Sequence, residues 1–366
     1  MRINSLILRN FRNYRRQELD FGPAINVLSG QNGQGKTNVL ESVFFLLTGK
    51  SQRIRQEIEL VTWGEDSLYL SGEFTVRERR IQIESFVRAN QRAVRLNGVP
   101  CRRMSDYVGL INAVFFTPDD LEIVKKGPME RRRFIDFMIC QSKPAHIAAL
   151  NQYQKALKQK SALLRRTRGD DANLRALLES WNLQLAAAGT KIISHRLEYV
   201  VKLQAECQAI FSVIFSADWL VEMTYISMGR RLPKEETPDL AAIFSERMGQ
   251  EIERRAVLAG PHRDDILIAV NEKPAKIFAS QGQQRALVLS MKLAEMEIFR
   301  KEKEEYPLLL LDDVLSELDE KRRGFLLDYI NAPGRQTLIT MTERDARLKG
   351  KETVFYSVKG GRAERE

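Results

Sequence analysis

The alternation of hydrophobic and polar positions divides the chain into three stretches. Up to residue 117, the pattern predicts one helix over 38–47 and short strands over 3–8, 25–28, 68–76, 81–87 and 93–96. Residues 118–255 hold few strand-like runs and several long helical ones. Residues 256–366 return to mixed character, with a helix predicted over 283–303 and strands over 266–270, 308–311 and 337–340. We therefore expect an α/β lobe from residues 1–117 and 256–366, split by a helical lobe at 118–255.

The helical lobe shows two sets of apolar residues that recur at intervals of seven. The first set is Leu150, Leu157 and Leu164, and the second is Leu178, Leu185, Ile192 and Tyr199. A polar segment, Arg168–Asp171, separates them. Two such helices joined by a turn are expected to pack as an antiparallel pair. Because the heptads are few, the pair predicts a short arm.

The composition is that of a folded globular protein. Of the 366 residues, 43% are hydrophobic and 29% are charged, and the length is enough for about two domains. No stretch reaches the roughly 18 uncharged apolar residues that a membrane span needs. Arg9 and Arg12 interrupt the start of the chain, where a signal peptide would be apolar. We expect a cytoplasmic protein without a membrane partner.

The formal net charge of +10 favours a polyanionic partner. The densest basic group consists of Lys125, Lys126, Arg131, Arg132 and Arg133. Such side chains can contact DNA phosphates in a salt-sensitive manner that does not depend on base sequence. The arm carries a second basic set, Lys155, Lys158, Lys160, Arg165, Arg166 and Arg168. This set is spread around its helix, so a solvated face is the alternative for some of its members. We therefore predict DNA binding by the group rather than by any single residue.

One segment matches the phosphate-binding pattern G-x-x-x-x-G-K-[ST]. It consists of Gly30, Gln31, Asn32, Gly33, Gln34, Gly35, Lys36 and Thr37. A predicted strand precedes it, and a predicted helix containing Asn38 follows. Glycines allow backbone N–H groups to wrap the phosphates, while the lysine reaches the β- and γ-phosphates and the threonine hydroxyl ligates Mg²⁺. The segment predicts ATP and Mg²⁺ binding, and Asn38 is included in the site.

An acidic pair follows a buried strand much later in the chain. Asp312 and Asp313 come directly after Leu308–Leu311, at the end where α/β sheets bind ligands. We expect Asp312 to serve the metal and Asp313 to polarise the attacking water. The long separation from Lys36, and the lack of an N-K-x-D motif, argue against a compact GTPase.

Between these motifs lies a segment that resembles the signature of ABC-type ATPases. It contains Ser280, Gln281, Gly282 and Gln283, directly before the long predicted helix, and Ser316–Asp319 resembles the D-loop of those proteins. In that family, the signature of one subunit closes on the γ-phosphate held by the other. The resemblance implies that ATP joins two copies of the chain. A serine hydroxyl and a glycine at a helix N-terminus suit such an anion site.

Three runs together resemble the RecF family of bacterial recombination-repair proteins. They are Leu8–Tyr14, Gly260–Asp265 and Ser280–Arg285, and they occur in that order along the chain. The resemblance implies an ABC-type head, ATP-dependent dimerisation, weak ATP hydrolysis, and binding to gapped or single-strand/double-strand junction DNA. It also implies help in loading RecA together with RecR and RecO. Arg12 and Asn13 resemble nucleotide contacts of related ATPases, with a solvated turn as the alternative.

Several features leave alternatives open. Asp313 stands where many transporter-type members have Glu, and 338–342 contains no switch histidine, so we expect slow turnover. No glutamine can be assigned near Phe116–Asp119, where a Q-loop would fall. Two interpretations of His262 are open. In one it faces the nucleotide or a DNA-binding surface, and in the other it belongs to a hydrogen-bonded corner that holds the sheet to the arm. The alternatives to the DNA-binding ATPase are an ATP-binding scaffold that does not touch DNA and a transporter nucleotide-binding subunit.

Overall fold

The computed structural model describes residues 1–51, 53–54, 56–89, 91–166, 172–233, 236–348 and 352–366. The strands are β1 (Arg2–Phe11), β2 (Tyr14–Asp20), β3 (Ile25–Ser29), β4 (Ser67–Val76), β5 (Arg79–Arg88), β6 (Gln91–Leu96), β7 (Val99–Pro100), β8 (Ala113–Phe116), β9 (Val221–Ser227), β10 (Arg230–Arg231), β11 (Asp265–Val270), β12 (Lys273–Pro274), β13 (Leu308–Asp312), β14 (Thr337–Met341), β15 (Val354–Lys359) and β16 (Arg362–Arg365). The helices are α1 (Lys36–Thr48), α2 (Glu122–Lys125), α3 (Pro128–Ser142), α4 (Pro144–Arg166), α5 (Ala172–Ile214), α6 (Leu240–Arg254), α7 (Ala275–Phe278), α8 (Gln281–Lys303) and α9 (Glu320–Asn331).

The first unit, Met1–Leu121 with Arg285–Glu366, contains two six-stranded sheets. One has the strand order β16-β15-β3-β14-β13-β8, and its strands from β15 to β8 pair in parallel. Four of them, β3, β8, β13 and β14, are buried along their whole length. This burial explains why they read as continuous apolar runs. The other sheet, β2-β1-β4-β5-β6-β7, is antiparallel.

Helix α1 lies between these two sheets. It contacts β1, β4 and β5 of the antiparallel sheet and β8, β13 and β14 of the parallel one. All of its residues except Thr37 and Asn38 are buried. A helix covered on both sides is apolar around most of its circumference, as this one is from Val43 to Leu47. The packing fixes the start of α1 at the carboxyl end of β3.

The second unit, Glu122–Gln284, combines helices with a four-stranded antiparallel sheet of order β10-β9-β11-β12. Helices α4 and α5 pack along each other. Leu164 near the end of α4 shares a core with Leu174 and Leu178 near the start of α5. Further along, a Cβ on Gly189 of α5 would lie 3.3 Å from the Tyr153 ring of α4. These contacts define the antiparallel arm, although its predicted turn, Arg168–Asp171, lies outside the described residues.

The structure agrees with the predicted α/β fold and its helical insertion, but it places the domain boundary differently. The insertion ends at Gln284 rather than at residue 255, because β11 pairs along its whole length with β9. The sequence pattern did not predict strand β9. Because β9 and its sheet lie within the insertion, the insertion is not purely helical. The signal for β9 was present in the sequence, since Val221, Met223, Tyr225 and Ser227 alternate as buried positions.

Candidate active site

The glycine-rich loop joins β3 to α1 in a conformation that only glycine accommodates at two positions. Gly30 has a φ of +153°, and a Cβ there would lie 2.3 Å from the Val358 carbonyl oxygen. Gly35 has a φ of +112° and would place a Cβ 2.7 Å from the Asn13 amide. Such positive φ values and close approaches exclude other side chains. The loop pattern therefore reflects backbone geometry as well as chemistry.

The Lys36 amine folds back over this loop. Its Nζ donates hydrogen bonds to the Gly30 carbonyl at 2.5 Å and the Gln31 carbonyl at 2.9 Å, with Asn32 Oδ1 at 3.5 Å. Burial lowers the pKa of Lys36, while the charges of Asp313 and Asp312 oppose that shift. The lysine is thus held inside the loop with its charge facing the acidic pair.

Asp312 meets the loop across the carboxyl edge of the parallel sheet. Thr37 Oγ1 and Thr340 Oγ1 each donate to Asp312 Oδ1 at 2.8 Å. Burial raises the pKa of Asp312, and these two hydrogen bonds act against the rise. Strands β3, β14 and β13 are neighbours in register, so their last residues end together at this edge. The sheet therefore brings together two motifs that are far apart in sequence.

Asp313 follows in a left-handed backbone conformation. Its φ is +52°, and its N–H donates to Thr340 Oγ1 at 2.9 Å. Its carbonyl accepts from Ser316 Oγ at 2.7 Å, at the start of the predicted D-loop. A non-glycine residue at positive φ is uncommon and is often found at functional sites. Thr340, which bonds both Asp312 and the Asp313 backbone, was not identified from the sequence.

Asn13 and the carboxyl-terminal hairpin hold the tip of the loop. Asn13 Nδ2 donates to the Gln34 carbonyl at 3.0 Å, and its Oδ1 accepts from Asn38 Nδ2 at 2.8 Å. Gly360 N–H donates to Gln34 Oε1 at 2.7 Å, and Gly361 N–H donates to the Gln34 carbonyl at 3.1 Å. This hairpin was not predicted from the sequence, although adjacent glycines between two strand-like runs are a hairpin signal.

Arg12 has a partner that the sequence did not indicate. Its guanidinium makes a two-point ion pair with buried Glu41, at 3.0 and 2.7 Å, and also donates to the Glu59 carbonyl. Ser51 Oγ donates to the same carboxylate at 2.6 Å, and Arg53 Nη1 lies 3.8 Å from it. The solvated-turn alternative for Arg12 is therefore wrong. Its guanidinium fastens α1 to the surrounding chain, whereas Asn13 contacts the loop directly.

The signature segment lies at the end of the second unit and caps the start of helix α8. Gln283 N–H donates to Ser280 Oγ at 3.3 Å, and Ser280 N–H donates to Gln283 Oε1 at 2.7 Å. This reciprocal pair is a capping box. Ser280 is exposed, and its hydroxyl, which acts as an acceptor in the cap, retains its own proton for donation. Gln281 and Gly282 follow in the first turn, whose N–H groups favour an anion.

The basic group of the second unit divides into buried and exposed members. Arg131 is buried and makes a two-point ion pair with Asp265, at 2.7 and 3.0 Å. Contrary to its place in the predicted DNA-binding group, it is therefore not available to DNA. Half-buried Arg132 donates to the Asp264 carbonyl at 2.5 Å. Lys125, Lys126 and Arg133 are exposed, and Lys126 pairs with Glu122 at 2.6 Å.

The Gly260–Asp265 run forms a hydrogen-bonded corner. His262 Nδ1 and the Tyr153 hydroxyl lie 2.7 Å apart, and Asp264 accepts from Tyr225 and Ser227 at 2.7 and 2.8 Å. Arg196 donates to the Pro261 carbonyl and pairs with Asp136. His146 and His195 extend this network through Asp136. This is the arrangement that the corner interpretation of His262 predicts.

The parallel sheet, the glycine-rich loop and the acidic pair define an ATPase head of the ABC type, as found in SMC proteins. The family model described as RecF/RecN/SMC N terminal domain matches residues 2–362. The DNA replication and repair protein RecF of Desulfitobacterium hafniense (strain DSM 10664 / DCB-2) is 46% identical over 361 residues, which cover 99% of this chain and 98% of that protein. The RecF of Bacillus thuringiensis (strain Al Hakam) is 39% identical over 352 residues, which cover 94% and 93%. This chain therefore belongs to the RecF family of DNA replication and repair proteins.

Solved structures agree with this assignment. One described as the recombination mediator protein RecF-ATP in the RecFOR pathway superposes with a TM-score of 0.89 at 30% identity, covering 100% of this chain and 97% of that chain. An Smc head bound to the C-winged helix domain of ScpA gives 0.58 at 16% identity, covering 100% and 97%, and shows the shared fold. Family membership removes the transporter alternative. No helix in the described part of the chain has the length and apolar character needed to cross a membrane.

Proposed function

We propose that the chain is an ATP-dependent dimerising DNA-binding protein of recombinational repair and replication-fork maintenance. It recognises gapped or single-strand/double-strand junction DNA in the cytoplasm and helps to load RecA together with RecR-type and RecO-type proteins. ATP hydrolysis is slow and acts as a switch. The observation that carries the proposal is the Thr37–Asp312 hydrogen bond, which joins the phosphate loop to the acidic pair in a chain of the RecF family.

The loop residues bind the nucleotide phosphates. Backbone N–H groups of Gly30–Lys36 face the phosphates, and the start of α1 adds positive potential. Lys36 exchanges its carbonyl acceptors, Gly30 and Gln31, for phosphate oxygens. Asn13 keeps the loop tip in place by donating to the Gln34 carbonyl, and Asn38 holds Asn13 by donating to its Oδ1. The affinity for ATP therefore depends on contacts within the loop and on residues that support it.

Thr37 and Asp312 fit a magnesium site. Both offer hard oxygen atoms, 2.8 Å apart, and Mg²⁺ in such ATPases is typically held by a threonine hydroxyl, one carboxylate and the substrate phosphates. When bound, the ion neutralises negative charge on the phosphate oxygens. Thr340 holds Asp312 in position from the neighbouring strand.

Asp313 is the proposed general base, and Ser280 and Gly282 are the proposed contacts in trans. Asp313 accepts a proton from the attacking water, and its short side chain contributes to slow turnover. The exposed Ser280 hydroxyl donates to the γ-phosphate held by a second copy, and Gly282 allows close approach. ATP thus links two copies, and loss of the γ-phosphate releases them.

The test is a titration of fluorescent gapped duplex DNA with the full chain, with and without Mg-ATP, at two salt concentrations. We expect tight binding only with ATP, and weaker binding at the higher salt concentration because phosphate contacts release counterions. Lys36→Ala should lose the ATP-dependent part of the binding. Lys50→Ala, a change at an exposed lysine just beyond α1, is the matched control and should behave as the wild type.

The outcomes separate the alternatives. DNA binding that is absent, or identical with and without ATP, contradicts the proposal. ATP-dependent capture of RecR-type or RecO-type proteins without DNA binding would instead support the interaction scaffold.

A further inference from the structure

A basic pocket lies in the second unit, built partly by the Gly260–Asp265 corner. It has a volume of about 440 Å³ and is lined by Lys126, Gly127, Pro128, Met129, Glu130, Arg132, His262 and Arg263. The ATPase mechanism above uses none of these residues. The Gly260–Asp265 run is one of the three runs on which the family resemblance rested, so its part in shaping a pocket calls for a functional explanation.

The charge in the pocket is strongly positive. Lys126, Arg132 and Arg263 contribute three cations, and Glu130 is the single carboxylate in the lining. The two aspartates of the corner are engaged elsewhere. Asp265 is paired with Arg131, and Asp264 accepts hydrogen bonds from Tyr225 and Ser227. Lys126 also pairs with Glu122 at 2.6 Å, a carboxylate outside the lining. Within the lining, three cations face one carboxylate, so the pocket keeps a positive excess.

Hydrogen bonds to backbone carbonyls keep the two arginines in place. Arg132 is anchored by its bond to the Asp264 carbonyl, and Arg263 by its bond to the Leu258 carbonyl at 3.0 Å. Burial lowers the pKa of Arg132, as does the neighbouring charge of Arg196. Burial also lowers the pKa of His262 to about 4, so the imidazole is neutral at physiological pH. The positive charge comes from the lysine and the two arginines.

We propose that this pocket binds a backbone phosphate of DNA through Lys126, Arg132 and Arg263. A phosphate group can accept hydrogen bonds from the forked guanidinium donors of arginine, and a concave basic site excludes part of the competing water. Met129, which is 66% exposed at the pocket wall, offers an apolar surface beside the phosphate for a deoxyribose ring. The proposal rests on the DNA binding proposed above and gives it a location.

The test compares single variants of the full chain in the presence of Mg-ATP. Arg263→Gln and Lys126→Gln each remove one cation, and Arg230→Gln removes an exposed arginine of β10 that is not part of the pocket lining. Affinity for fluorescent gapped DNA is measured at salt concentrations from about 50 to about 200 mM. We expect each pocket variant to bind several-fold more weakly and to reduce the salt slope by about 0.9. The control should keep the wild-type slope.

Thermal unfolding of each variant separates binding from folding. Lys126 has an exposed side chain, so Lys126→Gln remains a test if Arg263→Gln proves unstable. If the wild type does not bind DNA, the proposed function fails before the pocket is tested. If the wild type binds and both pocket variants keep the slope of the Arg230→Gln control, the pocket proposal is overturned while DNA binding stands. The pocket proposal would also be overturned if the pocket variants bound DNA as the wild type does but no longer bound an acidic protein partner.

Discussion

The Thr37 hydroxyl donates a hydrogen bond of 2.8 Å to Asp312, a residue 275 positions further along the chain. Thr340 donates to the same carboxylate oxygen at the same distance. Two neighbouring strands, β13 and β14, and the start of α1, which follows β3, therefore supply one cluster of oxygen atoms at the carboxyl edge of the sheet.

Asp313→Asn is expected to keep ATP binding and to trap a long-lived dimer. The amide cannot accept the proton of the attacking water, so hydrolysis should fall by roughly 10²–10⁴-fold. Sedimentation with saturating ATP reports the dimer, and phosphate release reports the rate. Asp328→Asn, at an exposed aspartate of α9, is the control and should resemble the wild type. A monomeric Asp313→Asn protein under these conditions would count against the switch.

Ser280→Arg is expected to bind ATP and remain monomeric. The added side chain and the loss of the hydroxyl would block the proposed contact with the γ-phosphate of a second copy. Ser245→Arg makes the same change at an exposed serine of α6 and should dimerise normally. Nucleotide affinity and sedimentation are measured on both variants. Normal ATP-dependent dimerisation of Ser280→Arg would show that this segment does not act in trans.

Gly361→Ala is expected to weaken ATP binding by about tenfold, which corresponds to about 1.4 kcal/mol. Its Cβ would lie 2.2 Å from the Asn13 carbonyl oxygen, so Asn13 must move away from Gln34. Gly360→Ala is the matched control, because both glycines have positive φ but a Cβ on Gly360 meets nothing within 4 Å. Calorimetric titration with ATP measures both variants. Equal affinities would mean that the hairpin does not support the loop.

Lys160→Met is expected to destabilise the second unit by about 3–5 kcal/mol. Lys160 Nζ lies 2.5 Å from Glu251 Oε2, and both side chains are fully buried, so the variant leaves a buried carboxylate without its partner. Adding Glu251→Gln removes that charge and retains an oxygen for the Leu258 N–H, which donates to Glu251 Oε1. Urea unfolding should show recovery in the double variant. A double variant as unstable as Lys160→Met would contradict a charge-based cost.

His262 should make stability depend on pH between about 6.5 and 4. Burial lowers its pKa to about 4 in the folded protein, from 6.5 when unfolded. In this range the unfolded chain binds the proton and the folded chain does not, so the free energy of unfolding falls as the pH falls. His262→Gln should reduce the slope by at most about 1.4 kcal/mol per pH unit.

Tyr153→Phe provides the control for this pH effect. It removes the hydroxyl that lies 2.7 Å from His262 Nδ1 but leaves a titrating imidazole in the protein. Stability should therefore decrease at every pH while the slope is retained. Denaturant unfolding at several pH values measures both variants, and an unchanged slope in His262→Gln would contradict this account.

Local sequence patterns were sufficient to predict much of the structure of this molecule. The glycine-rich loop, helix α1, the buried strand before Asp312 and the arm helices all follow from residue spacing within short windows. The pairing of Lys36 with a later acidic strand also followed, because parallel strands end at a common edge. These features depend on neighbours in sequence or on a general property of sheets.

Other features depended on which strands became neighbours in space. Strand β11 reads as part of the α/β lobe but pairs with β9, since hydrogen-bonded partners are chosen by the whole fold. Arg131 was predicted to be a surface cation but is buried against Asp265. Arg12 was predicted to contact nucleotide or to lie in a solvated turn, but its guanidinium is paired with Glu41. Burial of a charge is favourable only where an opposite charge is already placed. Such placement is a tertiary property, and so are the Gln34 hairpin contacts and the basic pocket.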